Sequence, residues 1–466
     1  MPDEPIGIIF GNVKRDDIRV ALKKPVYSRT YVKFFLEGHG EVLCYINDVS
    51  RNSTLTKQGA LKLMNGLPVS IDESFEASLK MVGYLKNGLF EYPQIPPPAG
   101  TEVYMADDEL IKNVLGINVA GEGYAYLGIL DGYKIPVNIP LQKILNKHFS
   151  VIAKTGSGKS YFVAVLLEEL IKNKITTVVI DPHDEYNTLN YENSMEKINK
   201  EFGVMPLSFA SHIKTIHFSK EEGIHFSIKE VDPDFLLSFT NLKGEVYSTM
   251  LSEVIRKHPH SLYDIDELAN LLRAEEDIKA GKLADSLVSH PYKWLFSSIG
   301  TPLEKIIDKE KTTIISLKGL DPRLQEFIVK SIATMAFEDM KNKKYPVLAF
   351  IVEEAHNFVP QQGMAYSSEI LRSIASEGRK FGLGLGIVSQ RPAKIDKNIL
   401  SQCGTQITLQ VTNSLDLKAI SNSMEGYEDG MENIIQNLTV GKALLSGYAV
   451  KFPLVIKVRS KQSLEI

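Results

Sequence analysis

Cysteine is nearly missing from this chain, with two in 466 residues, Cys44 and Cys403. They are far apart and in no metal-type spacing, which excludes a disulfide framework and fits a reducing compartment. An excess of basic charge is missing too: 53 lysines and arginines face 57 acidic residues, a net charge of −4. That denies the chain a global attractive field for nucleic acid, although a ring with its positive charge confined to a central channel would show the same balance. No apolar run approaches the ~20 residues of a membrane span, and no basic-then-apolar leader opens the chain. The expectation is a cytoplasmic protein with no membrane partner. Repeats and low-complexity tracts are also absent, and 44% hydrophobic with 24% charged residues is ordinary for a globular protein of two or three domains.

What is present is organised around Ala153-Lys154-Thr155-Gly156-Ser157-Gly158-Lys159-Ser160. An apolar run, Phe149 to Ile152, precedes it as a predicted buried strand, and Tyr161 to Leu167 follows as a predicted helix. Strand, glycine-rich turn and helix are the setting of a phosphate-binding P-loop. Gly156 and Gly158 let backbone N–H groups turn onto an anion, and the helix N-terminus adds unpaired N–H groups. Lys159 is expected on the β- and γ-phosphates and Ser160 on Mg²⁺, with Lys154, Thr155, Gly156, Ser157, Gly158 and Tyr161 completing an ATP contact. Ala153 stands where a first glycine is usual.

Residues 1–92 read as short strands separated by turns, a small barrel or sandwich. Tyr92 to Gly100 carries four prolines in six residues and is expected as a linker over 93–100 and a domain boundary. Residues 101–466 are expected as an α/β core, since strand and helix patterns alternate from Val151 onward. A helical stretch over about 230–305, broken at Pro259, Gly281 and Pro291, reads as an insertion with Trp294 in its core.

Three further constellations carry chemistry. Val347 to Val352 runs into Glu353-Glu354, an apolar strand ending in two acids. Glu353 is expected in the Mg²⁺ shell, one methylene longer than the usual aspartate, and Glu354 as the carboxylate that orients or deprotonates the attacking water. Thr176 to Asp181 is a buried strand whose acidic end, with Glu185 beyond it, falls at the ligand edge of a parallel sheet. Arg379 and Gln390 bracket the predicted strand Phe381 to Ser389. Gln390 sits at the nucleotide end as a γ-phosphate sensor. Arg379 sits at the far end, better placed for a neighbouring subunit's ATP, and that geometry implies a ring.

The ordered set AKTGSGKS, DPHDEY, FIVEEAH and EGRKFGLGLGIVSQRP resembles the HerA branch of the HerA/FtsK family over essentially the whole chain. The resemblance implies a RecA-like P-loop NTPase core with a helical insertion, preceded by a small HAS-barrel-like N-terminal β-barrel. It implies a homohexamer that threads double-stranded DNA through its pore, with a NurA-type nuclease docking on the ring in DNA end resection. By position it makes Glu354 catalytic, Arg379 the trans finger and Gln390 the sensor, with Lys147 and Arg459 as further phosphate and adenosine contacts. Pore-facing basic groups are expected among Lys318, Arg323, the loop Asn357 to Ser368, Arg391 and Lys394. Two rivals share parts of this pattern. One is a secretion- or conjugation-type motor. The other is a nucleotide-dependent scaffold without fast hydrolysis, which the paired Glu353-Glu354 disfavours. No NKxD motif points to GTP.

Overall fold

The computed structural model describes residues 4–465 apart from 118, 239, 259–263, 425, 428 and 429. The chain divides into two units, Met1–Ile139 with Leu445–Lys457, and Pro140–Leu444 with Val458–Ile466.

In the first unit, β1 (Gly7–Lys14), β2 (Asp17–Leu22), β3 (Tyr31–Leu36), β4 (Gly40–Ser53), β5 (Glu73–Lys86), β6 (Leu89–Glu91) and β7 (Glu102–Met105) follow in sequence, with helix α1 (Lys57–Met64) between β4 and β5. Their order is β2-β1-β7-β3-β4-β5-β6, and β2 also pairs with β5. Six antiparallel strands therefore close into a barrel with β6 hanging on β5 as a hairpin. Closure gives each of the six barrel strands a neighbour on both sides. Alternation puts Ile18, Val20 and Leu22 of β2 inside and Asp17, Arg19 and Ala21 outside. Ile9, Val32, Phe34, Val42, Cys44 and Val103 complete the apolar filling.

The expected boundary at the prolines is not where the barrel ends. β7 lies beyond them and pairs with both β1 and β3. Proline cannot donate to a ladder, yet it can bridge two strands of one sheet, and Tyr92 to Gly100 does so. Helix α2 (Asp108–Leu115) starts at Asp107, which accepts the Leu110 N–H at 2.9 Å, and stops at Gly116 in the left-handed region. Strands β8 (Tyr124–Leu130) and β9 (Pro136–Pro140) form the hairpin expected there.

The second unit runs α3 (Leu141–Asn146), β10 (Phe149–Ile152), α4 (Lys159–Lys172), β11 (Thr176–Asp181), β12 (Ile213–His217), β13 (Phe226–Ser227), α5 (Pro233–Ser238), α6 (Glu245–Lys257), α7 (Ile265–Ala274), α8 (Ile278–Val288), β14 (Phe296–Ser297), α9 (Leu303–Ile306), β15 (Thr312–Ser316), α10 (Pro322–Lys341), β16 (Leu348–Val352), α11 (Ser368–Glu377), β17 (Leu383–Ser389), α12 (Lys397–Gln402), β18 (Thr405–Thr408), α13 (Ser414–Ser423) and α14 (Met431–Gln436). The last strands of the chain are β19 (Lys442–Gly447) and β20 (Leu454–Val458). Parallel pairing gives the order β12-β15-β11-β16-β17-β10-β18. Every residue of β10, β11, β16 and β17 is buried, as a sheet covered on both faces requires. The insertion packs Leu268, Leu272, Leu283 and Leu287 together. Of its expected breaks, Gly281 lies inside α8, and Pro259 falls outside the described residues. Trp294 is half-buried against this core, not enclosed by it.

Two features fix how β10 enters the sheet. Gly386 of β17 lies under the Phe149 ring, so that a Cβ there would meet Phe149 Cζ at 2.4 Å. His148, at φ 55°, is buried, accepts the Leu385 N–H on Nδ1 at 2.9 Å and donates from Nε2 to Ala375 O at 3.0 Å. Burial pulls its pKa down to about 4, so the neutral ring is the folded form. The unfolded chain takes up this proton near pH 6.5, and the folded chain only near 4. The stability held in neutral His148 is therefore complete above about pH 6.5 and is lost as the pH falls toward 4, on the order of 3 kcal/mol in total. Urea unfolding between pH 7 and 4 should show a steeper loss for the wild type than for His148→Asn; equal slopes would assign the pH dependence elsewhere.

Candidate nucleotide-binding and hydrolysis site

The order β11-β16-β17-β10 brings four carboxyl ends side by side, so Asp181, Glu353, Gln390 and the P-loop share one edge. Loop geometry follows from local bonding. Lys154 N–H donates to Gln410 O at 2.8 Å, and Ser157 Oγ donates to Lys154 O at 2.7 Å. Gly156 and Gly158 take φ of 77° and 97°, conformations a side chain would strain. Ala153 is fully buried and is not among the positive-φ residues, which explains why a methyl group is tolerated at that position. Gly158 caps α4 without a side-chain hydrogen bond, so the first-turn N–H groups of Lys159, Ser160 and Tyr161 face an anion site.

Lys159 is the electrostatic centre. Its Nζ lies 2.5 Å from Glu353 Oε2, 3.2 Å from Glu354 Oε1 and 3.7 Å from Glu185 Oε2. Burial pulls its pKa down, but attraction to Glu353, Glu185 and Glu354 outweighs this, and the ammonium is retained. Burial pushes the Glu353 carboxyl up, and the ammonium of Lys159 pulls it back toward the charged form. Ser160 Oγ donates to Glu185, and Thr155 Oγ1 donates to Gln390 Oε1, which puts Gln390 against the P-loop. Glu354 follows β16 with φ 48°, a strained backbone of the kind found at active sites. Its Oε2 is buried and accepts no hydrogen bond, although His356 Nδ1 lies 3.3 Å away. Burial, with Arg391 and Lys394 nearby, holds His356 below its usual pKa despite Glu354. An unmet carboxylate oxygen beside Lys159 fits an attacking water. The hard oxygens of Ser160, Glu185 and Glu353 fit the hydrated shell of Mg²⁺.

Four expected residues lie differently. Asp181 is fully buried; it accepts the His183 N–H at 3.1 Å and the Tyr186 N–H at 3.3 Å, so its carboxylate shapes the turn. Burial pushes it up to about 6. Arg459, expected on adenosine, is fully buried, its Nη1 2.7 Å from Glu168 and its Nη2 2.7 Å from Glu169, both on α4. Removing one partner of such a pair strands the other charge in the interior, so its contribution is to hold the C-terminal segment on α4. Lys147 precedes β10 while the P-loop follows it, which puts Lys147 at the opposite sheet edge from its own loop. The pore candidates Lys318, Arg323, Arg391 and Lys394 are all exposed, and two of them are engaged within the chain: Arg323 Nη1 donates to Ser238 O at 2.9 Å and Lys318 Nζ lies 3.7 Å from Asp184 Oδ2. Tyr186, unmarked in the sequence, is fully buried with its hydroxyl on Glu353. A lone tyrosine after two acids gives no signal beyond its place in DPHDEY.

Arg379 lies exposed in the turn Gly378–Phe381, at the far end of β17 from Gln390. No described helix is long and apolar enough to cross a membrane.

Residues 125–336 match the family described as "Helicase HerA, central domain". A probable helicase of Methanocaldococcus jannaschii is 27% identical over 98% of this chain and 91% of its own length. A protein of Saccharolobus solfataricus named DNA double-strand break repair helicase HerA is 26% identical over 97% and 92%. Among solved structures, VirB4 of Thermoanaerobacter pseudethanolicus superposes with a TM-score of 0.54 at 15% identity, covering 73% of this chain and 97% of that one, a likeness of fold. With a P-loop on β10, paired glutamates after β16 and a glutamine just past the end of β17, this chain is a P-loop ATPase that carries a HerA helicase central domain over residues 125–336 and is similar to HerA helicases along most of its length.

Proposed function

We propose that the protein is an ATP-driven motor on double-stranded DNA, assembled as a homohexameric ring with the duplex in its pore. The observation that carries the ring is the position of Arg379. β17 is seven residues long, about 20 Å at ~3.3 Å per residue, and Arg379 projects beyond the end opposite Gln390. A cation that far from its own P-loop serves catalysis only at the site of a neighbour, and Lys147 shares that edge. The relatives named as DNA double-strand break repair helicases support DNA as the track. DNA end resection with a NurA-type nuclease docked on the ring is the finer form of the same reading.

At each site, Lys159 exchanges its carboxylate partners for the β- and γ-phosphates of ATP. Ser160 turns from Glu185 toward the metal side. Ser160, Glu185 and Glu353 would hold a hydrated Mg²⁺, which would supply positive charge against the negative charge that develops on the leaving group. Glu354 holds the attacking water and takes its proton as the γ-phosphoryl group passes to the water oxygen. Gln390 and Thr155 close over the γ-phosphate side. The neighbour's Arg379 stabilises the transition-state charge.

Steady-state hydrolysis with and without linear duplex tests the reading. Stimulation by duplex, with a six-subunit mass in native spectrometry when ATP and DNA are present, is the expected result. A monomer that hydrolyses ATP at full rate, indifferent to DNA, would remove the motor.

A further inference from the structure

Glu353 stands where an aspartate would be one methylene shorter, and that methylene adds a torsion that something must hold. Glu353 is 1% exposed. Its Oε2 is held by Lys159 Nζ at 2.5 Å, and its Oε1 accepts the Tyr186 hydroxyl. Tyr186 is itself 0% exposed, which excludes stacking on a nucleotide base or on DNA. Its backbone N–H is bound by Asp181 Oδ2, and the Glu353 N–H donates to Ile180 O at 3.1 Å. Asp181, Tyr186 and Glu353 thus form one chain of bonds from β11 to the carboxyl end of β16. Lys159 must leave Glu353 when phosphate arrives, and the tyrosine hydroxyl is then the contact that keeps this carboxylate aimed.

We infer that Tyr186 is a positioning residue for ATP hydrolysis, its hydroxyl locking the carboxylate of Glu353 so that a glutamate performs the task of a shorter acid. This rests on the ATPase reading above. It also gives Asp181 its part: the aspartate fixes the turn that aims the tyrosine. A buried tyrosine serving only as packing would be insensitive to which acid occupies position 353.

The test is Tyr186→Phe in the full chain, alone and combined with Glu353→Asp. The phenylalanine keeps the ring and removes only the hydroxyl, so the fold is preserved, which a thermal unfolding midpoint checks. Expected are a fall in kcat of about tenfold, the scale of one lost hydrogen bond to a charged group, and an ATP Kd measured by calorimetry in EDTA unchanged within about twofold. In crystals of Y186F, the Glu353 carboxylate should leave its position or split between rotamers. In the E353D background the shorter carboxylate is out of the hydroxyl's reach, and Y186F should then cost less than about twofold. A wild-type kcat for Y186F, an equal loss in both backgrounds, or an unmoved Glu353 would each overturn the inference while leaving the ATPase reading intact. Wild-type protein that does not hydrolyse ATP would overturn the reading itself, and this inference with it.

Discussion

Arg379→Ala should lower kcat by about a thousandfold or more, the loss typical of a missing arginine finger, while ATP affinity changes by no more than about twofold. The side chain is exposed and lies at the end of β17 remote from the P-loop, so its removal leaves both the core and the binding loop untouched. The measurement that separates a finger in trans from any role within one subunit is a mixture. Lys159→Ala subunits lack a working loop but carry Arg379, and Arg379→Ala subunits lack the finger but carry Lys159. In mixed rings some interfaces bring an intact loop against an intact arginine, so activity should return above the sum of the two parents. Mixtures that stay silent, or an R379A protein that loses affinity and turnover together, would put Arg379 back in its own subunit.

Glu354→Gln should cost about 10²- to 10³-fold in kcat with ATP still bound, as removal of a general base does. Glutamine fills the same space and still offers one oxygen to Lys159. It removes the negative charge and the unmet acceptor, Oε2, that lies ready for a water. Glu353 and Glu185 remain to balance the ammonium, so the loop should keep its shape. Single-turnover hydrolysis measured beside nucleotide binding tests this. An E354Q protein that retains more than about a tenth of wild-type turnover would transfer the base role to Glu353.

The parts of this machine that the sequence announced are those coded locally. A strand, two glycines, a lysine and a helix start are neighbours in sequence, and the loop they make requires nothing remote. The paired glutamates after β16 and the glutamine after β17 were legible because strand ends in a parallel sheet all point to one edge. What escaped was set by partners distant in the chain. β2 carries Asp17 and Arg19 on its outer face and has only three inward residues to declare it. β7 is four residues long and hides behind the prolines, and only its pairing with β1 and β3 closes the barrel. Arg459 reads as a free cation until Glu168 and Glu169, about 290 residues earlier, are seen to enclose it. Lys147 stands six residues before Ala153 in sequence, yet a buried strand separates them, and a strand has two ends. Tyr186 resembles core in composition and is core in burial; only the identity of its hydrogen-bond partner makes it part of the chemistry.

The bare backbone at Gly386 has a consequence for variation at this site. Phe149 rests on it, and four residues after Phe149 the phosphate loop begins. A carbon added at Gly386 would meet the Phe149 ring, and the strain would fall on the short strand that carries the phosphate loop, with no contact to nucleotide along the path. A substitution at Gly386 is therefore expected to weaken ATP capture while leaving the lysine and its carboxylates in place.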